Sequence, residues 1–225
     1  KKSVFKKIKL TENRKFSLEI IYIIKKMAIS KNIKTIKSQL PDHVTLVAVS
    51  KTKPVEDLME AYNAGQRIFG ENKIQEMTDK WEAMPKDIEW HMIGHVQTNK
   101  VKFMAPYVSL IHGVDSLKLL EEINKHAAKN NRIIACLLQI YIAEEESKFG
   151  LDEQELIEIL NSEKFKQLKN IKIVGLMGMA TFTESQIQIK KEFDNLKTIF
   201  EKYKKMNTEH WQLNTLSMGM SGDYQ

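Results

Sequence analysis

The chain has 225 residues, a formal net charge of +6, a 42% apolar fraction and one cysteine. That length suits one large domain or two small ones, no Pro/Gly/Ser-rich linker divides it, and the apolar fraction can fill a core. A single cysteine excludes an internal disulfide and fits a reducing compartment, while the basic charge, confined to one end, argues against a nucleic-acid-binding surface on the body.

Residues 1–26 hold nine Lys/Arg and two Glu, a net of +7, which leaves −1 for the remainder. Phosphate-backbone binding needs a clustered basic face on a folded body, so a nucleic-acid partner is not expected. Ile20 to Ile24 is too short an apolar stretch to span a bilayer. Glu19 breaks the only candidate signal-peptide core, and no small-residue cleavage site follows. The expectation is therefore a tail, 1–26, lying upstream of the domain, and a domain from Met27 to Gln225.

From Met27 the pattern is helical up to Leu40 and Pro41. Strands are then predicted at Val44–Ser50, Arg67–Gly70, Glu89–Gly94, Ser109–Val114, Ile133–Ile140, Ile171–Met177 and Gln212–Leu216. Helices are predicted between them at Val55–Ala64, Lys73–Trp81, Asn99–Met104, Ser116–Asn130, Asp152–Asn161 and Thr183–Lys205. Several strands are unbroken apolar runs, as in parallel strands covered by helices. Cys136 lies in one of them and reads as a small core residue. Strict βα alternation without a glycine-rich dinucleotide fingerprint predicts an α/β fold, a (β/α)8 TIM barrel, with a doubly wound sheet as the alternative. The count reaches seven strands, so the expectation is that the last helix and the eighth strand are missing from this sequence.

Lys51 ends the first strand pattern, Val44 to Ser50. An amine at the mouth of an apolar strand reads either as an ordinary lysine past a strand end or as a partly desolvated nucleophile. Desolvation lowers a lysine's pKa and frees its lone pair, which Schiff-base chemistry with an aldehyde requires. In a barrel the active face lies at the C-terminal strand ends. Polar and glycine-bearing segments recur there: Lys51; Gly70-Glu71-Asn72; His91 through Gln97; His112 and Asp115; Glu146 to Gly150; Gly175 to Met179; and Ser217 to Ser221.

Six segments together carry a family resemblance. They are Val47 to Pro54, Phe69 to Glu76, Trp90 to Lys100, Glu145 to Gly150, Gly175-Leu176-Met177 and Leu216 to Ser221. In this order they resemble the pyridoxal phosphate (PLP) homeostasis proteins, which look like the N-terminal barrel domain of alanine racemase standing alone, a fold-type III PLP-binding architecture. The resemblance implies PLP as cofactor, with Lys51 as its Schiff-base partner. It implies Asn72 and His91 near the ring and Met177 beside it. It implies that the turn holding Ser217, Gly219, Met220 and Ser221 receives the phosphate, where small residues allow close backbone approach. The family continues into a strand with an Arg-Ile-Gly-type motif, which has no counterpart among these segments.

Other residues have plainer readings. His112 is left open between a strand-end histidine and a pocket residue, and His95 reads as shaping its loop. The histidines and the cysteine show no metal-ligand spacing, so no metal is expected. Met177, Met179, Met218 and Met220 serve as core fillers as readily as ligand contacts. The adjacency of Ser147 and Lys148 does not make a nucleophile pair.

The function implied is binding, buffering and supply of PLP through a reversible lysine Schiff base (vitamin B6 homeostasis), without catalysis. PLP-dependent apoenzymes would be the recipients, and a cytoplasmic monomer without nucleic-acid or membrane partners is expected. The alternative is a PLP-dependent amino-acid racemase or lyase of the same fold. A racemase needs an acid–base group on each face of its carbanion, and Tyr224 is the only tyrosine near a strand-end motif.

Overall fold

A computed structural model describes residues 28–144, 149–206 and 208–218. Helix α1 covers residues 28–39. Seven strands follow: β1 (Ala48–Val49), β2 (Ile68–Glu71), β3 (Glu89–Met92), β4 (Leu110–Val114), β5 (Ile134–Gln139), β6 (Ile171–Met177) and β7 (Trp211–Ser217). Between them lie α2 (Val55–Asn63), α3 (Ile74–Ala83), α4 (Val101–Met104), α5 (Leu117–Lys129), α6 (Glu153–Asn161), α7 (Glu163–Lys166) and α8 (Gln186–Lys204). The strands form one sheet in the order β1-β2-β3-β4-β5-β6-β7, and every pairing is parallel. A doubly wound sheet reverses its order at a switch point; this one does not, and the barrel expectation is the one met.

Three of the helices, α5, α6 and α8, begin where a side chain supplies a cap. Ser116 accepts from the Leu119 amide and starts α5. Asp152 and Glu155 form a capping box on α6, and Ser185 accepts from Gln188 to start α8. Each such cap satisfies an amide that the first turn leaves unpaired. Helix α5 buries Leu119, Leu120, Ile123 and Ala127, one stripe at helical spacing.

The sheet has two apolar faces. Ile111, Cys136, Leu138, Ile173 and Leu176 join the large cluster under the helices. Leu110, Leu137 and Met177 form a separate small cluster with Ala135, Val174 and Met179. Alternation along each strand explains the division, since neighbours in sequence face opposite sides. The small cluster is the inner filling of a curled sheet, and its size fits an interior whose upper part is polar.

Several boundaries differ from the sequence reading. The first strand is regular only over Ala48–Val49 instead of Val44–Ser50. It pairs with β2 alone among the described residues, and Val44 and Val49 are 43% and 49% exposed. A short helix, α7, follows α6 after Ser162, where one helix ending at Asn161 was expected. The last long helix starts at Gln186, where Ser185 caps it, not at Thr183. Among the described residues no helix is long and apolar enough to cross a membrane.

Candidate functional site

Strand register sorts the candidate residues. Val49 pairs with Gly70, Gly70 with His91, His91 with Leu110 and Leu110 with Ala135. This row shares the inner face, since Leu110 and Ala135 belong to the inner cluster. A second row joins Gln139, Met177 and Ser217. Lys51 lies two residues past Val49, in the turn that follows β1. The sequence-predicted residues His91, Met177 and Ser217 thus share one face, and Lys51 sits in the turn just past the first strand of the row.

Two contacts tie that face together. Nε2 of His112 lies 3.0 Å from Nδ1 of His91, and Nδ1 of His112 lies 2.8 Å from the Ser217 hydroxyl. Strand β4 and strand β7 are three places apart in the sheet, so this second contact requires the sheet to curl round. The β4 ladder has a register shift between Ile111 and Val114, which spans His112. Such irregularities re-aim side chains near the rims of barrels. Burial holds both imidazoles below the usual histidine range, His91 to about 4 and His112 to about 3, the latter also because His91 is beside it. His112, left open from the sequence, is thus the centre of the cluster.

Behind Lys51 lies a buried ionic network. The ammonium of Lys80 donates to the Ser50 carbonyl at 2.8 Å and to Glu71 and Glu76 at 2.7 Å each. The Ser50 hydroxyl donates to Glu71 at 2.6 Å, and Glu76 accepts from the Thr52 amide at 2.6 Å. Both neighbours of Lys51 are therefore fixed from the helix side, and Thr52 adopts φ 63°, a left-handed conformation costly for threonine. Burial pushes the Glu71 carboxyl up, against the pull of Lys80 and Ser50. The sequence had placed Lys80 on a predicted helix with no sign of this role.

Lys51 itself is exposed, not desolvated as its position past an apolar strand suggested. The strand before it is paired on one side among the described residues, so little covers that face. Asn72 is half-buried beside Gly94, where a Cβ would come 2.6 Å from the Asn72 carbonyl oxygen. This close approach fixes the β2 and β3 strand ends against each other. His95 stacks on Phe149 with ring centroids 5.0 Å apart and faces Asp115 at 3.3 Å, in keeping with a loop-shaping role. The Gln139 amide donates to the Phe149 carbonyl at 2.8 Å. Gly219, Met220 and Ser221, like Ser147 and Lys148, lie outside the described residues.

A lysine just past the first of seven sequential parallel strands, with polar groups gathered at the strand ends, matches one known class. The family model for the alanine racemase N-terminal domain matches residues 24–225, and an alanine racemase from Clostridium difficile 630 shares the fold at TM-score 0.68 and 14% identity, covering 87% of this chain and 52% of that one. Within that class the chain belongs to the family of the pyridoxal phosphate homeostasis proteins. It is 38% identical over 181 residues to the one from Aquifex aeolicus (strain VF5), covering 80% of this chain and 78% of that one. It is 35% identical over 212 residues to the one from Vibrio alginolyticus, covering 87% and 88%. PipY of Synechococcus elongatus PCC7942 without PLP has TM-score 0.81 at 33% identity, covering 87% of this chain and 91% of that chain. The same protein with PLP bound has TM-score 0.77 over the same shares. The relatives from Aquifex aeolicus and Vibrio alginolyticus are named as homeostasis proteins and not as enzymes.

Proposed function

We propose that this chain binds PLP on the inner face of its sheet and buffers and supplies it, without turning over a substrate of its own. PLP brings an aldehyde carbon, which the Lys51 amine attacks with loss of water, and hydrolysis reverses the step. The residues expected around it are Lys51, Asn72, His91, Met177 and Ser217, with the turn of Gly219, Met220 and Ser221 at the phosphate. The observation that carries this reading is the inner-face row from Val49 through Gly70 and His91, with Lys51 two residues beyond it and Ser217 joined through His112. Gly70 adds no side chain to that face. The relative solved with PLP bound supports the choice of cofactor.

The carrier reading is favoured over a racemase by the groups available for proton transfer. His91 and His112 are buried and held neutral, so neither is a ready acid at neutral pH. Tyr62, Tyr107 and Tyr203 are bonded to Asp87, Thr78 and Glu153. Recipient apoenzymes, a cytoplasmic site of action and a monomeric state belong to the same proposal.

The test is a visible absorbance titration with PLP of the protein and of Lys51→Ala. An imine band that vanishes in the variant supports the proposal, and an unchanged band in the variant removes Lys51 from it. Solvent deuterium exchange at the α-carbon of added amino acids separates the two functions: the carrier gives none, and turnover-rate exchange would establish the enzyme.

A further inference from the structure

We propose that Ser217, His112 and His91 form a tautomer relay, in which an anion bound at Ser217 sets whether Nε2 of His91 is a donor or an acceptor. The inference rests on the reading that Ser217 receives the phosphate of the ligand. His112 acts in it as a positioning residue, through its two neighbours.

The geometry allows only two proton arrangements. Both nitrogens of His112 are engaged, at 2.8 Å by Ser217 and at 3.0 Å by His91. The rings are 4% and 7% exposed for His112 and His91, and burial keeps both neutral near neutral pH. A neutral imidazole carries one N–H and one bare nitrogen, so the direction of one bond fixes the other. In the first arrangement the Ser217 O–H donates to Nδ1 of His112, the Nε2–H of His112 donates to Nδ1 of His91, and Nε2 of His91 carries the proton. In the second, Nδ1–H of His91 donates to Nε2 of His112, Nδ1–H of His112 donates to the Ser217 oxygen, and Nε2 of His91 is bare.

Without an anion the first arrangement wins, because an imidazole nitrogen is a better acceptor than a hydroxyl oxygen. An anion at Ser217 reverses the preference. It needs the Ser217 O–H as a donor, and the first arrangement offers it only lone pairs; a charge-assisted bond is the stronger one. Protons balance in the change: each ring keeps one, one leaves Nε2 of His91 to water, and one reaches the Ser217 oxygen from water. The phosphate end of a ligand at β7 is thereby felt at a nitrogen on β3, four places away in the strand order. Among the described residues nothing bonds to that nitrogen, which leaves it available to the ligand.

The experiment uses the full chain labelled with 15N-histidine, and long-range 1H–15N correlation at pH 7.5 to read which nitrogen of each ring is protonated. PLP and pyridoxal are the two probes; they share the aldehyde, and only PLP carries the anion. The expected result is that PLP shifts the tautomer ratio of both rings by about tenfold or more, the equivalent of one charge-assisted bond. Pyridoxal leaves the ratio as it was. In Ser217→Ala, PLP no longer moves either ring. If the Lys51 imine band forms with PLP and both rings keep their tautomers, the relay is wrong and the carrier reading stands. If no imine band forms with either probe, the carrier reading fails and takes the relay with it.

Discussion

The ammonium of Lys80 lies 2.8 Å from the carbonyl oxygen of Ser50, so a side chain on α3 grips the residue that precedes Lys51. Lys80 is 5% exposed and Glu71 is fully buried, and the second Glu71 oxygen has no partner among the described residues. The pair is thus one whose halves depend on each other: a buried charge that loses its partner keeps its desolvation cost.

Lys80→Met is expected to lower stability by about 3–5 kcal/mol, the usual consequence of orphaning a buried charge. Adding Glu71→Gln should recover part of that loss, because the stranded carboxylate is gone. Urea unfolding of the two singles and the double checks this, and strictly additive effects would refute a direct coupling.

Lys51→Ala should behave in the opposite way. The side chain is exposed, and its backbone neighbours are held through Ser50 and Thr52 without it. Its unfolding free energy should stay within about 0.5 kcal/mol of the parent. A loss several times larger would make Lys51 a structural residue and undercut its use as a free nucleophile.

The two buried histidines make stability depend on pH in a definite direction. Folded His91 and His112 titrate at about 4 and about 3, against 6.5 for the free side chain. Below about pH 6.5 the unfolded chain therefore binds more protons than the folded one, and stability falls as pH drops toward about 4, by about 1.4 kcal/mol per unit of depression for each ring at most. Glu71, pushed up by burial, works in the other direction at the acid end. Replacing both histidines by glutamine should flatten the slope between pH 7 and 5 in a series of urea midpoints; an unaltered slope would place the dependence elsewhere.

Gly175→Ala is expected to be poorly tolerated. Its Cβ would run into the Thr215 carbonyl group on the neighbouring strand, which is backbone and cannot swing aside, and would also press on the Leu137 side chain. A loss of about 1–3 kcal/mol or more follows from such overpacking, and it should be visible as a lower thermal midpoint. An unchanged midpoint would mean that β6 and β7 separate at little cost.

The local pattern carried the sheet and its helices, because apolar runs and cap residues act within a few positions of themselves. Ser116, Asp152 and Ser185 each start a helix close to where the sequence suggested one. What the pattern missed depends on partners far along the chain. The first strand was read as longer than it is, since its apolar residues do not reveal that among the described residues only β2 pairs with it. For the same reason the sequence left open whether Lys51 is an ordinary or a partly desolvated lysine, and it is exposed. His112 stayed open because its partners, Ser217 and His91, lie 105 and 21 residues away; the register shift within β4 that accompanies it has no sequence signature of its own. Lys80 resembled any helix lysine until Glu71 and Ser50 were seen beside it. Of the candidate residues, His91, Met177 and Ser217 lie on one face, and His112, which joins His91 to Ser217, was found by geometry alone.

The order of the strands has a bearing on how the chain is made. Ala48 pairs with Phe69 and Leu176 with Leu216, so each strand finds its neighbour within about twenty to forty residues. Every new strand emerging from a ribosome can add to an edge already present, and among the described strands no pairing waits for a distant segment. The contact between His112 and Ser217 is the exception, spanning 105 residues. It can form only after β7 has arrived, so the cluster that unites the inner face is assembled after the six strands before it.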